Sequence, residues 1–308
     1  MKHFLLVGLL IFLQNAFTQN IAKPFLPDII SQFPNVRDIA ISPDGNEIMF
    51  SAQSVMGNLS AIISVKKNGD IWSNPKVASF SGQHFDLEPF FSHHGLKLYF
   101  VSTRPLDSNS SEAKDFDIWY VERSTIEGHW SEPKNLGSPI NTEHGEFYPS
   151  IAENGNFYFT RDNSTLGSKD DLYVSEFIND TYTEPKALPD TVNSEGYEYN
   201  AFIAPDESYI LFGTYNRKDG FGSGDLYISY NSENGWTEAK NLGNTINTNK
   251  MDYCPFVKGN TLYYTSKQDG TQTKFDTALS IEQLSQEFNK HNNGSSRLYQ
   301  ISADTIIK

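Results

Sequence analysis

The chain has 308 residues and a formal net charge of −14, from 38 acidic against 24 basic residues. That balance argues against nucleic acid and anionic membrane as partners, because both need a basic surface. The single cysteine, Cys254, excludes an intrachain disulfide and reads as a small buried hydrophobe.

The first element is a processing signal. Lys2 and His3 precede an apolar run from Phe4 to Leu13, and the residues turn more polar through Gln19. The run is too short to span a bilayer and has the layout of a secretory signal peptide, residues 1–18, with Ala16-x-Thr18 as the cleavage site. No cysteine follows it, so no lipoprotein anchor is expected. A periplasmic or secreted protein without membrane insertion is.

Residues 19–308 read as one domain, because a four-part phrase runs through them five times. Its first part is a short apolar strand ending in a turn: Ile39 to Gly45, Pro89 to Gly95, Pro149 to Gly155, Ala201 to Glu207 and Pro255 to Asn260. A second apolar strand follows at Glu47–Phe50, Lys97–Phe100, Asn156–Phe159, Tyr209–Phe212 and Thr261–Tyr264. After a polar loop, a third strand opens on Asp117, Asp171 or Asp225. A fourth starts at an aromatic and reaches Pro or Ala three residues on, as in Trp72 to Pro75 and Trp236 to Ala239. Aromatic and β-branched runs with Gly, Asn and Asp punctuation favour strands. Four strands per unit make a propeller blade, so the expected fold is an all-β five-bladed propeller, with six blades as the alternative.

The last unit carries a long insertion and a late third strand at Arg297–Ile301, with no fourth strand behind it. Residues 21–26 have fourth-strand spacing and are expected to close this blade, removing the free sheet edges. The insertion is expected to hold one short helix near 280–292, capped by Ser280 and Gln283, with Ile281, Leu284 and Phe288 on one face, lying on the surface of the last blade.

The Ser42-Pro43-Asp44-Gly45 turn with Phe50-Ser51, and Pro89 through Ser102-Thr103-Arg104, resemble the WD40-like Ser-Pro-Asp-Gly propeller repeats of the TolB type. The phrase Trp130 to Gly137 with Ile140-Asn141-Thr142, echoed by Trp236 to Gly243 with Ile246-Asn247-Thr248, is similar to the version common in exported Bacteroidetes proteins. The resemblance covers nearly all of residues 19–308 and implies fold more than function. TolB carries a separate N-terminal domain and six blades, so its role is not carried over.

Inner strands of a propeller line the axis. Three positions before Pro89 and its equivalents stand Val36, Asp86, Glu146, Glu198 and Asp252, and one position before stand Asp38, Glu88, Tyr148, Asn200 and Cys254. Residues two apart share a strand face, so both sets are expected at the channel mouth. There Asp86, Glu146, Glu198 and Asp252 could hold a cation, a cationic ligand or sugar hydroxyls. The plainer alternative is that they accept backbone N–H bonds. His84 and His144 share a repeat position beside Asp86 and Glu146, where a His/carboxylate pair suits acid–base or binding chemistry. Arg104 and Arg161 end second strands on the same rim and could clamp an anionic group or pair with acids. No nucleophile elbow, phosphate loop or zinc signature occurs. No metal or cofactor is expected, and the catalytic residues are unknown. The favoured reading is a monomeric, non-catalytic module that binds a carbohydrate, a peptide or an envelope protein on its loop-rich face. Tyr148, Tyr199, Tyr215, Phe221 and Tyr253 would supply stacking there. The alternative is a polysaccharide hydrolase or lyase using the carboxylates at the channel mouth.

Overall fold

The computed structural model describes residues 21–107, 109–110, 112–162, 170–215 and 217–307. The segment read as a signal peptide, and most of the 160–171 loop, lie outside the described residues. The fold is a five-bladed β-propeller. Blade 1 runs through Asn35–Ile41, Glu47–Gln53 and Ser60–Asn68, and blade 2 through Asp86–Phe91, Lys97–Ser102 and Asp117–Glu122. Blade 3 runs through Gly145–Ile151, Phe157–Asp162 and Asp170–Ser175, and blade 4 through Tyr197–Ile203, Tyr209–Tyr215 and Asp225–Ser232. Blade 5 comprises Asp252–Lys258, Thr261–Ser266 and Arg297–Ser302. Lys23–Pro24 form its outer strand, with Lys23 opposite Gln300 and Pro24 opposite Tyr299. Next to this pair, Phe25 N–H donates to Leu298 O at 3.0 Å and the Phe25 ring packs edge-on against Tyr263.

The outer strands are shorter than the sequence suggests. Blade 1 keeps only Ile71–Trp72 and Lys76–Val77, separated at Pro75, and blade 2 keeps Lys134–Asn135 after Pro133. Proline has no N–H to give the ladder, so the pairing breaks there. The inner and second strands are almost wholly buried, and Phe50, Phe100, Phe157, Phe159 and Phe212 are among the largest fully buried side chains.

The first turn of each blade needs a left-handed residue. Gly45 supplies it at φ 75°. In blade 4 Glu207 takes the place at φ 57°, and its carboxylate accepts from Asn154 Nδ2 (2.7 Å), Asn156 Nδ2 (2.9 Å) and Tyr158 OH (2.7 Å) of blade 3. These bonds offset the strain that a Cβ meets there.

The helix is Ile281–Phe288, with the Ser280/Gln283 capping box in place. Ile281 and Phe288 are exposed, whereas Glu287 is buried, accepting from Gln272 N and Lys290 Nζ. A polar anchor, not the apolar stripe, fastens this helix. A four-residue helix, Pro27–Ile30, also precedes blade 1, and Ile30 is buried.

Candidate functional site

Every inner strand carries a β-bulge at the same step, and the bulged residue is never glycine. Asp38, Glu88, Tyr148, Asn200 and Cys254 all have φ between 51° and 57°. Pairing with the second strand shifts register at each of them. A non-glycine residue in this region costs about 1–2 kcal/mol, and bulges re-aim side chains. The neighbouring blade compensates. The N–H of Asp38 donates to Thr265 Oγ1, that of Glu88 to Ser51 Oγ and that of Asn200 to Thr160 Oγ1.

The bulge breaks the period of two, so the two sets part company. The bulged set bonds across the axis. Arg37 donates to Asp38 Oδ1 (2.8 Å) and Glu88 Oε1 (2.6 Å), and Asn200 Nδ2 to Glu88 Oε1 (3.1 Å). Tyr148 N–H donates to Glu88 Oε2 (2.7 Å), and Cys254 Sγ to Asp38 Oδ1 (2.7 Å). Burial pushes the Glu88 carboxyl up to about 7 against the pull of Arg37. Burial also works against the Arg37 charge, but the Asp38 and Glu88 carboxylates outweigh it and raise the guanidinium. Burial raises the Cys254 thiol, so it stays protonated and unreactive.

The other set stays within its own rim. Asp86, Glu146, Glu198 and Asp252 have no solvent exposure. Asp86 accepts from Ser81 Oγ, Ser102 Oγ and Arg104 Nη2 (2.8 Å). Glu146 accepts from Thr142 N, Thr142 Oγ1 and Arg161 Nε (3.0 Å). Glu198 accepts from Ser194 N, Ser194 Oγ, Thr214 Oγ1 and Arg217 Nη2 (3.0 Å). Asp252 accepts from Thr248 N and Oγ1. These four carboxylates therefore do not face a shared channel mouth. The guanidinium of Arg104 also lies over Phe100 and Trp119, that of Arg161 over Phe159 and Tyr173, and that of Arg217 over Phe212 and Tyr227. Asp252 has no such cation among the described residues. Burial raises its carboxyl to about 6, and Oδ1 has no partner at hydrogen-bonding geometry although Ser266 stands beside it.

The Ile-Asn-Thr phrase finds its reason here. Ile140 and Ile246 are buried in the core. Asn141 accepts from Ile118 N and donates to Ile118 O, and Asn193 and Asn247 do the same for Leu172 and Leu226. The next residue, Thr142, Ser194 or Thr248, holds the rim acid of the following blade. Sequence reading missed this linkage, although the recurring Asn was its signal.

His84 is half-buried and borders a rim cavity of about 570 Å³ with Arg104, Trp119 and Pro133. His144 is half-buried, and its N–H donates to Thr142 Oγ1. Among the described residues no group of three His, Cys, Asp or Glu side chains could hold a metal.

The open feature of the axis is a mouth of about 180 Å³. It is lined by Arg37, Glu88 and Asn200, by Phe147, Tyr199, Tyr215 and Tyr253, and by Thr160, Asp170 and Met251. Below it Phe90, Phe202 and Phe256 pack together with ring centroids 5.4 and 6.4 Å apart, leaving a void of only about 10 Å³. Arg37, Phe147 and Asp170 were not singled out in the sequence. Arg37 had a signal, because the equivalent positions are Leu87, Phe147, Tyr199 and Tyr253.

Solved structures share this fold. The GH43 endo-arabinanase from Bacillus licheniformis matches at 14% identity and a TM-score of 0.52, over 87% of this chain and 93% of that one. The GH62 α-L-arabinofuranosidase catalytic domain of Coprinopsis cinerea matches at 11% and 0.50, over 88% and 91%. TolB from Acinetobacter baumannii matches at 16% and 0.47, over 87% of this chain and 54% of that one, so the chain spans about half the TolB length. At these identities the likeness is one of fold. No protein-family model and no curated protein matches the sequence.

Proposed function

We propose that this chain is an exported, non-catalytic propeller module that seats a ligand in the axial mouth of its loop-rich face. The export part rests on the sequence of residues 1–18. The observation that carries the binding part is the mouth itself: an open cavity of about 180 Å³ with four aromatic side chains around a polar floor. Concave, mostly apolar sites with a few placed polar groups are the usual form of ligand pockets.

A hydrolase reading draws on Glu88, whose carboxyl is pushed up to about 7 by burial, as a general acid requires. The glycosidase folds nearby keep that reading in view. Against it, a glycosidase needs two carboxylates placed across the scissile bond. Here Asp38 and Glu88 share one guanidinium, and Glu88 N–H donates to Asp38 Oδ2 at 3.3 Å. Both are held by Arg37, which leaves Asp170 as the other carboxylate lining the mouth among the described residues.

A screen of the purified domain against glycans and peptides, with product analysis on the same samples, tests this. Binding without product is expected. Release of sugar product, abolished by Glu88→Gln, would overturn the non-catalytic reading.

A further inference from the structure

We propose that the axial mouth is selective for a primary ammonium group, such as that of an amino sugar or a terminal amine; this rests on the mouth being the binding site. Charge is the first ground. Arg37 is the cation at the floor, and it is already bonded to Asp38 and Glu88. Asp170 adds a third carboxylate to the wall. Behind it stand Asp162, directly opposite on the neighbouring strand, and Asp171 next in the chain. Burial and these two acids together push the Asp170 carboxyl up to about 6. Among the described residues that line the mouth or bond to its floor, one guanidinium stands with three carboxylates, an excess of negative charge. An anionic ligand meets repulsion there, and a cation relieves it.

The aromatic wall is the second ground. Tyr199 and Tyr215 lie face to face at a tilt, centroids 4.6 Å apart, with Tyr197 edge-on to Tyr215 at 6.1 Å. Tyr253 already carries a cation, with the Arg37 guanidinium 5.3 Å from its centroid. Ring faces attract ammonium groups, most strongly where water is displaced.

The third ground is an acceptor without a well-placed partner. Tyr199 is 7% exposed and lines the mouth, and its hydroxyl has no partner at hydrogen-bonding geometry among the described residues, although the Tyr215 hydroxyl stands beside it. The neighbouring Tyr215 hydroxyl is directed at Met251 Sδ, 3.7 Å away. A buried hydroxyl left in this state is costly, and an ammonium N–H would satisfy it. The Tyr199 position depends on two glycines. A Cβ at Gly213 would lie 2.7 Å from its ring and one at Gly224 would lie 2.6 Å from its hydroxyl. The volume suits a head group and not a run of sugar units.

Methylammonium, glucosamine and neutral glucose are the probes, titrated against the whole domain by ligand-observed NMR at neutral pH. The account expects glucosamine to bind at least about tenfold tighter than glucose, a difference of about 1.4 kcal/mol. It expects methylammonium to compete with glucosamine, and added salt to weaken both. Asp170→Asn should remove most of the preference, and Tyr199→Phe part of it, with melting unchanged. Glucose binding as well as glucosamine would overturn the ammonium preference and leave the module reading standing. Product release from a glycan would overturn the module reading instead. Failure of both amines to bind would overturn this proposal, and the glycan and peptide screen would then decide the fate of the mouth as a site.

Discussion

Asp86 and Glu88 lie two residues apart on one inner strand, yet their surroundings have little in common. Asp86 belongs to the rim, where an acid recurs in four blades, and it is held within its own unit by serines and Arg104. Glu88 belongs to the axis, where each blade presents a different residue, and its bonds run to Arg37 of blade 1, Tyr148 of blade 3 and Asn200 of blade 4. The bulge between the two positions separates them. The contrast shows how to read a repeat protein. A residue that recurs in every unit answers a need of the unit, and a residue that differs in every unit is free to serve the one place where all units meet.

The largest expected effect breaks the rim. Arg104→Ala removes the partner of a fully buried carboxylate together with packing on Phe100 and Trp119. Leaving such a charge unpaired costs about 3–5 kcal/mol, which urea unfolding would report. The axial mouth should keep its ligand affinity.

A middle-sized effect concerns pH. Burial raises Glu146 from 4.5 to about 7 in the folded chain. The folded state therefore binds its proton more tightly than the unfolded state. Its stabilising contribution is fully present below the unfolded value and is lost as pH rises through about 7. Asp252, raised to about 6, and Glu88, raised to about 7, act with the same sign. Unfolding free energy should fall between pH 5 and pH 8, and Glu146→Gln should flatten part of that slope. An unchanged slope in the variant would remove Glu146 from this account.

The smallest effect lies on the axis. Cys254→Ser keeps a donor for Asp38 Oδ1 in a fully buried place and should cost about 1 kcal/mol or less. The native thiol should resist modification until the chain unfolds. Rapid labelling of folded protein would show that the axial ring is open.

The blades were legible in the sequence because turn, strand and aromatic signals recur together, and tertiary packing agrees with them at each copy. The roles of the carboxylates were not. Alternation placed Asp86 and Glu88 on one face, and no glycine announced the bulge that separates them. The rim histidines and arginines were drawn toward a site by their nearness to acids, whereas Arg104 and Arg161 are taken up by those acids and by aromatic faces. Arg37 showed only as a departure from an apolar column. The helix misled through its Ile281, Leu284 and Phe288 pattern, because one buried Glu287 fixes it instead.

The most direct test sets one rim acid against one mouth acid. Asp252→Asn and Asp170→Asn each remove a single negative charge while keeping size. Glucosamine titrations of the two variants beside the unaltered chain should give unchanged affinity for Asp252→Asn and a loss of about tenfold for Asp170→Asn. Loss of binding in Asp252→Asn with Asp170→Asn unaffected would contradict the division between scaffold rim and ligand-bearing axis.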